Sequence, residues 1–263
     1  MSSLFIQQLV LSMVIAGLWI SAATLLSERL GSRLGGMISN MPSTILVSLL
    51  FIGLTQGADF AAEATTTVPL GMSLSTIFLF TFIALVPRGL GKAVAGSLGV
   101  WLVLTLLSSL FQEVGRIGWT MVYFLVAVTT YLLAEKVLNI PSMGKTGKKY
   151  TILQALLRAL FAGSVVGTAV LVARTGSAFW TGIFSTFPAV MLSSMVILSL
   201  SAGSGFARAT GKIMLLASTN IVIYGYLSGL LFPVIGLAWG SIVPFFVSVG
   251  WIWLLKPLFK RGR

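Results

Sequence analysis

Long apolar stretches, parted by short polar ones, follow one another along the whole chain. The first reads "LFIQQLVLSMVIAGLWISAATLL", Leu4 to Leu26. At about 1.5 Å per residue, roughly 20 such residues cross a hydrocarbon core of about 30 Å. The pattern predicts nine spans, within a range of eight to ten, over residues 4–26, 37–56, 62–87, 93–111, 118–138, 152–173, 179–202, 208–232 and 235–255. The first segment lacks the basic start and small-residue cleavage site of a signal peptide, so it is read as a retained span.

Two spans begin unusually. "GGMISNMPS" (Gly35–Ser43) and "TGIFSTFPA" (Thr181–Ala189) each set polar residues and a proline where a helix should be entering the membrane. A shift of 146 positions lays Gly36–Ala61 on Gly182–Ala207 with nine of 26 positions identical, including Ser39/Ser185, Pro42/Pro188 and Gly57/Gly203. The same shift puts Pro87 on Pro233. Apolar composition matches leucines readily, but it does not keep prolines and glycines in register. The chain therefore reads as a duplication: residues 1–117 form a first membrane repeat of spans one to four, 118–151 a fifth span with a basic loop, and 152–263 a second repeat. Five spans separate each element from its copy, and an odd separation reverses the direction through the bilayer. The expected fold is an all-α polytopic bundle of two inverted-topology repeats with discontinuous or kinked helices. Many secondary transporters are built this way, with sites near the midplane on broken helices.

Proline removes a backbone donor and clashes with the preceding turn, so a helix is broken, kinked or only starting at Pro42 and Pro188. Ser39, Asn40, Ser185 and Thr186 are short polar residues expected to cap the helices that start there. Backbone groups freed in lipid must face protein, water or a ligand. With the copies inverted, two helix N-termini would point at each other, each with about half a positive charge and free N–H groups. That makes a place for an anion or a polar neutral group. The plainer alternative is a pair of packing kinks.

Composition removes other classes. The chain is 57% hydrophobic and 8% charged, which excludes a water-soluble globule. Without cysteine or histidine it has no disulfide, none of the usual zinc or haem ligands, and no Ser/His/Asp triad. It also lacks a Gly-rich phosphate loop ending in Lys-Ser or Lys-Thr. No catalytic residue, cofactor or metal is expected, and the chain is read as not an enzyme. A net charge of +12 would suit nucleic acid, but the basic residues are scattered over loops rather than gathered in an aromatic-interleaved patch. Under the nine-span count fifteen of the seventeen fall on one side, leaving Arg116 and Arg174 on the other. The positive-inside rule then sets the N-terminus outside and the C-terminus in the cytoplasm, in a cytoplasmic (inner) membrane.

Other polar positions offer coupling or gating groups. Asp59 and Glu63 share a helical face at the outer start of the third span, where they either favour the helix start or hold a coupling H+ or Na+. Glu113 and Arg116 read as a solvated pair. Arg208 and Lys212, also four apart, follow positive-inside placement or form a gate for an anionic substrate. Arg158, inside the sixth span, is the basic residue least explained by loop position and a coupling or gating candidate, unless its long side chain snorkels to the interface. Asn220 and Tyr224, in the eighth span, join Ser39, Asn40, Pro42, Ser185, Thr186 and Pro188 as candidate solute-binding residues. Trp101, Trp119, Trp180, Trp239, Trp251 and Trp253 suggest an interfacial belt.

Phe187 and Pro188, the apolar span after them, and the break "AGSG" before a basic turn resemble the GlpM-like small bacterial inner-membrane proteins. A member of that family corresponds to about half of this chain, so the resemblance implies two such units fused through the fifth span. It also implies a link to export of cell-envelope material and brings no catalytic residues. The leading functional reading is a secondary transporter of a small polar or anionic solute, working by alternating access at the repeat interface. A flippase for lipids or lipid-linked phosphates, whose ligand would be a lipid head group, and a non-transporting subunit of envelope biosynthesis are the alternatives. Membrane lipids and a second copy of the chain are the expected macromolecular surroundings; nucleic acid is excluded.

Overall fold

The computed structural model describes residues 3–39, 41–141 and 151–255, and the side chains of all of these except residues 20 and 23–39. Among the described residues every regular element is helical. Apolar surface on all sides leaves the backbone no outside partner in lipid, and a helix satisfies its own N–H and C=O groups.

In chain order the elements are α1 (Ser3–Ser39), α2 (Ser43–Gln56), α3 (Ala58–Ala64), α4 (Val68–Leu85), α5 (Leu90–Ser108), α6 (Arg116–Leu132), α7 (Ile152–Ala173), α8 (Ala178–Ser185), α9 (Ala189–Ala202), α10 (Ser204–Ala217) and α11 (Thr219–Leu255). Several join end to end. Six helical stretches are long and apolar enough to cross a membrane: Ala58–Arg88, Leu90–Phe111, Arg116–Val137, Ile152–Ala173, Ala178–Ala202 and Ser204–Leu255. The chain is a multi-pass membrane protein. The last stretch holds 52 residues, about 78 Å if straight and far more than one crossing needs. It is interrupted at Gly236, whose φ of 75° and ψ of 173° are not helical. The outer faces of α5 and α6 show Leu102, Leu106, Met121 and Leu125 half or more exposed, as lipid-facing surfaces should be.

Two helices 146 positions apart have like backbones. Helices α2 and α9 are both 14 residues long and start 146 positions apart. Their starts share a conformation, Pro42 at φ −76°, ψ 45° and Pro188 at φ −78°, ψ 39°. Both end at a glycine in a backbone region closed to other residues, Gly57 at φ 100° and Gly203 at φ 88°.

The first helices of the two halves, α1 and α7, cross closely through small residues. A Cβ on Gly17 would stand 3.2 Å from the Ala159 carbonyl oxygen, and one on Gly163 would stand 2.8 Å from that of Met13. Gly17 and Gly163 are repeat mates, as are Met13 and Ala159. The contact is therefore reciprocal, each helix presenting to the other the patch it receives. Residue numbers rise along one helix as they fall along the other, so the pair runs antiparallel.

One expectation is corrected. The spacing predicts a span ending near Leu26 and a loop before Gly36, whereas α1 is helical through to Ser39. No proline interrupts Ser27–Ser39, and the glycines there do not suffice to end a helix. The second half does turn at the corresponding place, with Gly176 at φ 76° between α7 and α8.

Candidate functional site

The two proline breaks meet. Met41, Pro42, Ser43, Thr44 and Ile45 from the first, and Ser185, Thr186, Phe187, Pro188, Val190 and Met191 from the second, line one cavity of about 60 Å³. Met72 of α4, Met214 of α10 and Ile221 of α11 close it. Four of the lining pairs are repeat mates: Met41/Phe187, Pro42/Pro188, Thr44/Val190 and Ile45/Met191. The cavity is thus lined in part by positions that correspond at the 146-residue offset. One water needs about 10–15 Å³ of such space, so the cavity has room for a few waters or a small ion.

Backbone amides of both helix starts belong to its lining residues. Among the described residues neither helix has a side-chain cap. The amides of Ser43 and Ala189 turn back to Met41 and Phe187, 2.7 and 2.8 Å away, and the first helical bonds come from Leu46 and Leu192. The N–H groups between those positions belong to the unbonded first turn that every helix leaves at its start. Both N-termini bring partial positive charge to the same space, and among the described residues no carboxylate lines it.

The capping expectation is corrected for Ser185 and Thr186. Ser185 Oγ donates to the Gly182 carbonyl at 2.7 Å, and Thr186 Oγ1 to that of Ile183 at 2.8 Å. Both hydroxyls close the end of α8 instead of opening α9, because the last carbonyls of a helix need donors as much as its first amides need acceptors. Their oxygens keep lone pairs but no free hydrogen. In the first half, Asn40 lies outside the described residues, as does the side chain of Ser39.

Residues outside the two proline motifs hold this break in place. Ser75 Oγ of α4 donates to the Thr186 carbonyl at 2.8 Å, and Thr67 Oγ1 to that of Phe179 at 2.9 Å. Helix α8 approaches so closely that a Cβ on Gly71 or Gly182 would collide with Thr186 or with Ala64 and Thr67. Trp101, expected in an interfacial belt, is instead buried in α5 with its ring edge-on to Phe187 at 4.8 Å. Trp251 likewise turns inward, donating to Thr219 Oγ1 at 2.9 Å. A proline three residues after a serine is a visible signal; a lone tryptophan or serine in an apolar helix is not.

The remaining candidates lie elsewhere. Asn220 and Tyr224 are fully buried on α11 beside the cavity but not in its wall, which Ile221 supplies. Asp59 and Glu63 are exposed at the start and end of the short α3, and neither lines the cavity. Arg208 is half-buried on α10, also away from it. Arg158 does not snorkel: it is buried, and its Nη2 donates to Ser194 Oγ at 3.0 Å. Lys212 is no loose landing point either. Its ammonium is buried, 2.6 Å from Glu135 Oε2 and 2.6 Å from the Ile140 carbonyl, tying α10 to the end of the α6 span. Glu135 sits where that helix widens into a π-turn, Leu133–Val137. Arg116, expected to pair with Glu113, reaches inward instead and donates from Nη2 to the Ala62 carbonyl and to Thr65 Oγ1, at 2.9 and 3.0 Å. The interrupted helix at Thr65 offers acceptors that solvated Glu113 cannot match.

Fold and cavity together define a polytopic helical membrane protein with a small, mostly apolar void where two proline-started helices of like backbone meet. One family model, described as "Protein of unknown function (DUF3147)", matches residues 9–114 and 155–237, and the chain belongs to that family. Its two matched stretches begin 146 residues apart, at 9 and 155, the offset that aligns the two prolines. No curated protein and no solved structure matches the chain.

Proposed function

We propose that the protein is a secondary transporter of two inverted repeats, and that it carries a small anion or polar solute through the cavity between Pro42 and Pro188. The observation that carries this reading is the meeting of two helix N-termini, one from each half and neither with a side-chain cap among the described residues, at a single void. The reciprocal, antiparallel crossing of α1 and α7 supports inversion, because a twofold axis normal to the helices produces that contact. The break at Gly236 supports two crossings within Ser204–Leu255, which makes seven, and the shorter apolar helices Ser3–Trp19 and Ser43–Gln56 bring the count to nine. A cytoplasmic membrane, with the N-terminus outside, follows from the distribution of basic residues. Two fused GlpM-like units fit the same duplication.

Amide donors and helix dipoles favour an anion; the Ser185 and Thr186 hydroxyls have already given their hydrogens and can only accept. Alternating access needs one half to rock against the other around a fixed site. Lys212 and Glu135 then form an ionic latch rather than a substrate contact.

Reconstituted protein tests this against the lipid-translocase alternative. Uptake of small inorganic and organic anions into proteoliposomes, with no head-group flipping in the same vesicles, is the expected result. Flipping without solute uptake supports the alternative, and silence in both assays removes transport.

A further inference from the structure

A second, larger void lies away from the prolines. Between α6 and α11 runs an open groove of about 280 Å³, lined by Thr120, Phe124, Val222, Ile223, Tyr226 and Leu227. Its walls are apolar: the Thr120 hydroxyl, the polar group nearest its mouth, is committed to the Arg116 carbonyl at 2.8 Å. On either side Met121, Leu125 and Leu230 face outward, so the groove opens on the lipid-facing surface. Hydrocarbon, not water, reaches it there.

One end of this groove is charged. Arg116 begins the Arg116–Val137 span and so sits at a membrane boundary, one turn before Thr120 and two before Phe124. Its guanidinium lies over the Tyr226 ring, 5.8 Å from the centroid, and Tyr226 is itself a groove wall. Nη2 is held inward by Ala62 and Thr65. The buried Nε–H has no partner among the described residues. A fixed cation at head-group level, above an apolar channel that descends about 12 Å along α6, has the shape and charge of a phospholipid turned inside out.

We propose that this groove binds one anionic phospholipid, with an acyl chain along Phe124, Ile223 and Leu227 and the phosphate at Arg116. A zwitterionic lipid would fill the groove equally well but gain less from the cation, which makes charge the discriminator.

Native mass spectrometry of the full chain, titrated with phosphatidylglycerol or phosphatidylcholine of the same acyl chains, tests the proposal. The expected result is a first phosphatidylglycerol bound about five- to tenfold more tightly than phosphatidylcholine. R116Q abolishes that preference, and R116K keeps part of it. Leu227→Trp fills the groove while leaving the bonds of Arg116 in place, and lowers first-lipid occupancy at least fivefold for both lipids. Equal binding of the two lipids by the unaltered protein, or a preference that survives R116Q, overturns the charged half of the proposal. Undiminished binding by Leu227→Trp overturns the acyl-chain half.

Discussion

The breaks at Pro42 and Pro188 agree in backbone and differ in side chains. Cap angles match within about 6°, the helices that follow have equal length, and both end at a left-handed glycine. Around the second break, however, stand Thr186, Phe187 and the edge of Trp101, while the first presents Met41 and Thr44. The side chains differ while the backbone of the two helix starts at the void stays alike. A site that works through backbone N–H groups can tolerate such replacement; one that works through side chains cannot.

The comparison can be broken most directly by removing what the halves share. Replacing both prolines, Pro42→Ala with Pro188→Ala, allows helical bonding to run on across the breaks and is expected to lower transport at least tenfold, each single variant doing less. Full activity in the double variant would leave the prolines as packing kinks.

The reading of the sequence reached this pair and fell short around it. Proline, glycine and their 146-residue spacing were legible because few backbone conformations accept them, and the positions keep their meaning whatever packs nearby. Partners across the bundle were not. Lys212 looked like a loop cation because its sequence neighbours are basic, yet Glu135, 77 positions earlier, holds it. Arg116 looked solvated beside Glu113, yet the acceptors that hold it belong to residues 62 and 65. Long-range pairing of a few polar groups leaves no periodicity to read. The end of α1 failed for a different reason: a run of glycine and charge resembles a loop, but it does not oblige a helix to stop.

The next effect sharpens how the second half is tied to the fifth span. Lys212→Met leaves Glu135 without its partner at the end of the α6 span. It is expected to cost about 1–3 kcal/mol of stability, below the figure for a fully buried pair because Glu135 is 36% exposed. Thermal unfolding in detergent measures this, and the double variant Lys212→Met with Glu135→Gln should recover part of the loss.

The reciprocal crossing of α1 and α7 gives a paired test. Gly163→Ala drives a methyl to 2.8 Å from a backbone oxygen that cannot move away and is expected to cost about 1–3 kcal/mol; Gly17→Ala, at 3.2 Å, should cost less. Equal effects, or the reverse order, would contradict the packing.

The smallest effect separates amide from hydroxyl. Ser185→Ala removes a bond that closes α8 and is expected to cost about 0.5–1.5 kcal/mol of stability while changing solute affinity less than threefold. A large loss of affinity would return the side chain to the site.

The central claim is that the void between the prolines opens in turn to both sides of the membrane. The chain has no cysteine, so single cysteines placed at Thr44 and Val190 report without background. A membrane-impermeant thiol reagent applied to right-side-out and to inside-out vesicles is expected to label both positions from both sides. Labelling of each position from one side only, or of neither, would contradict the account.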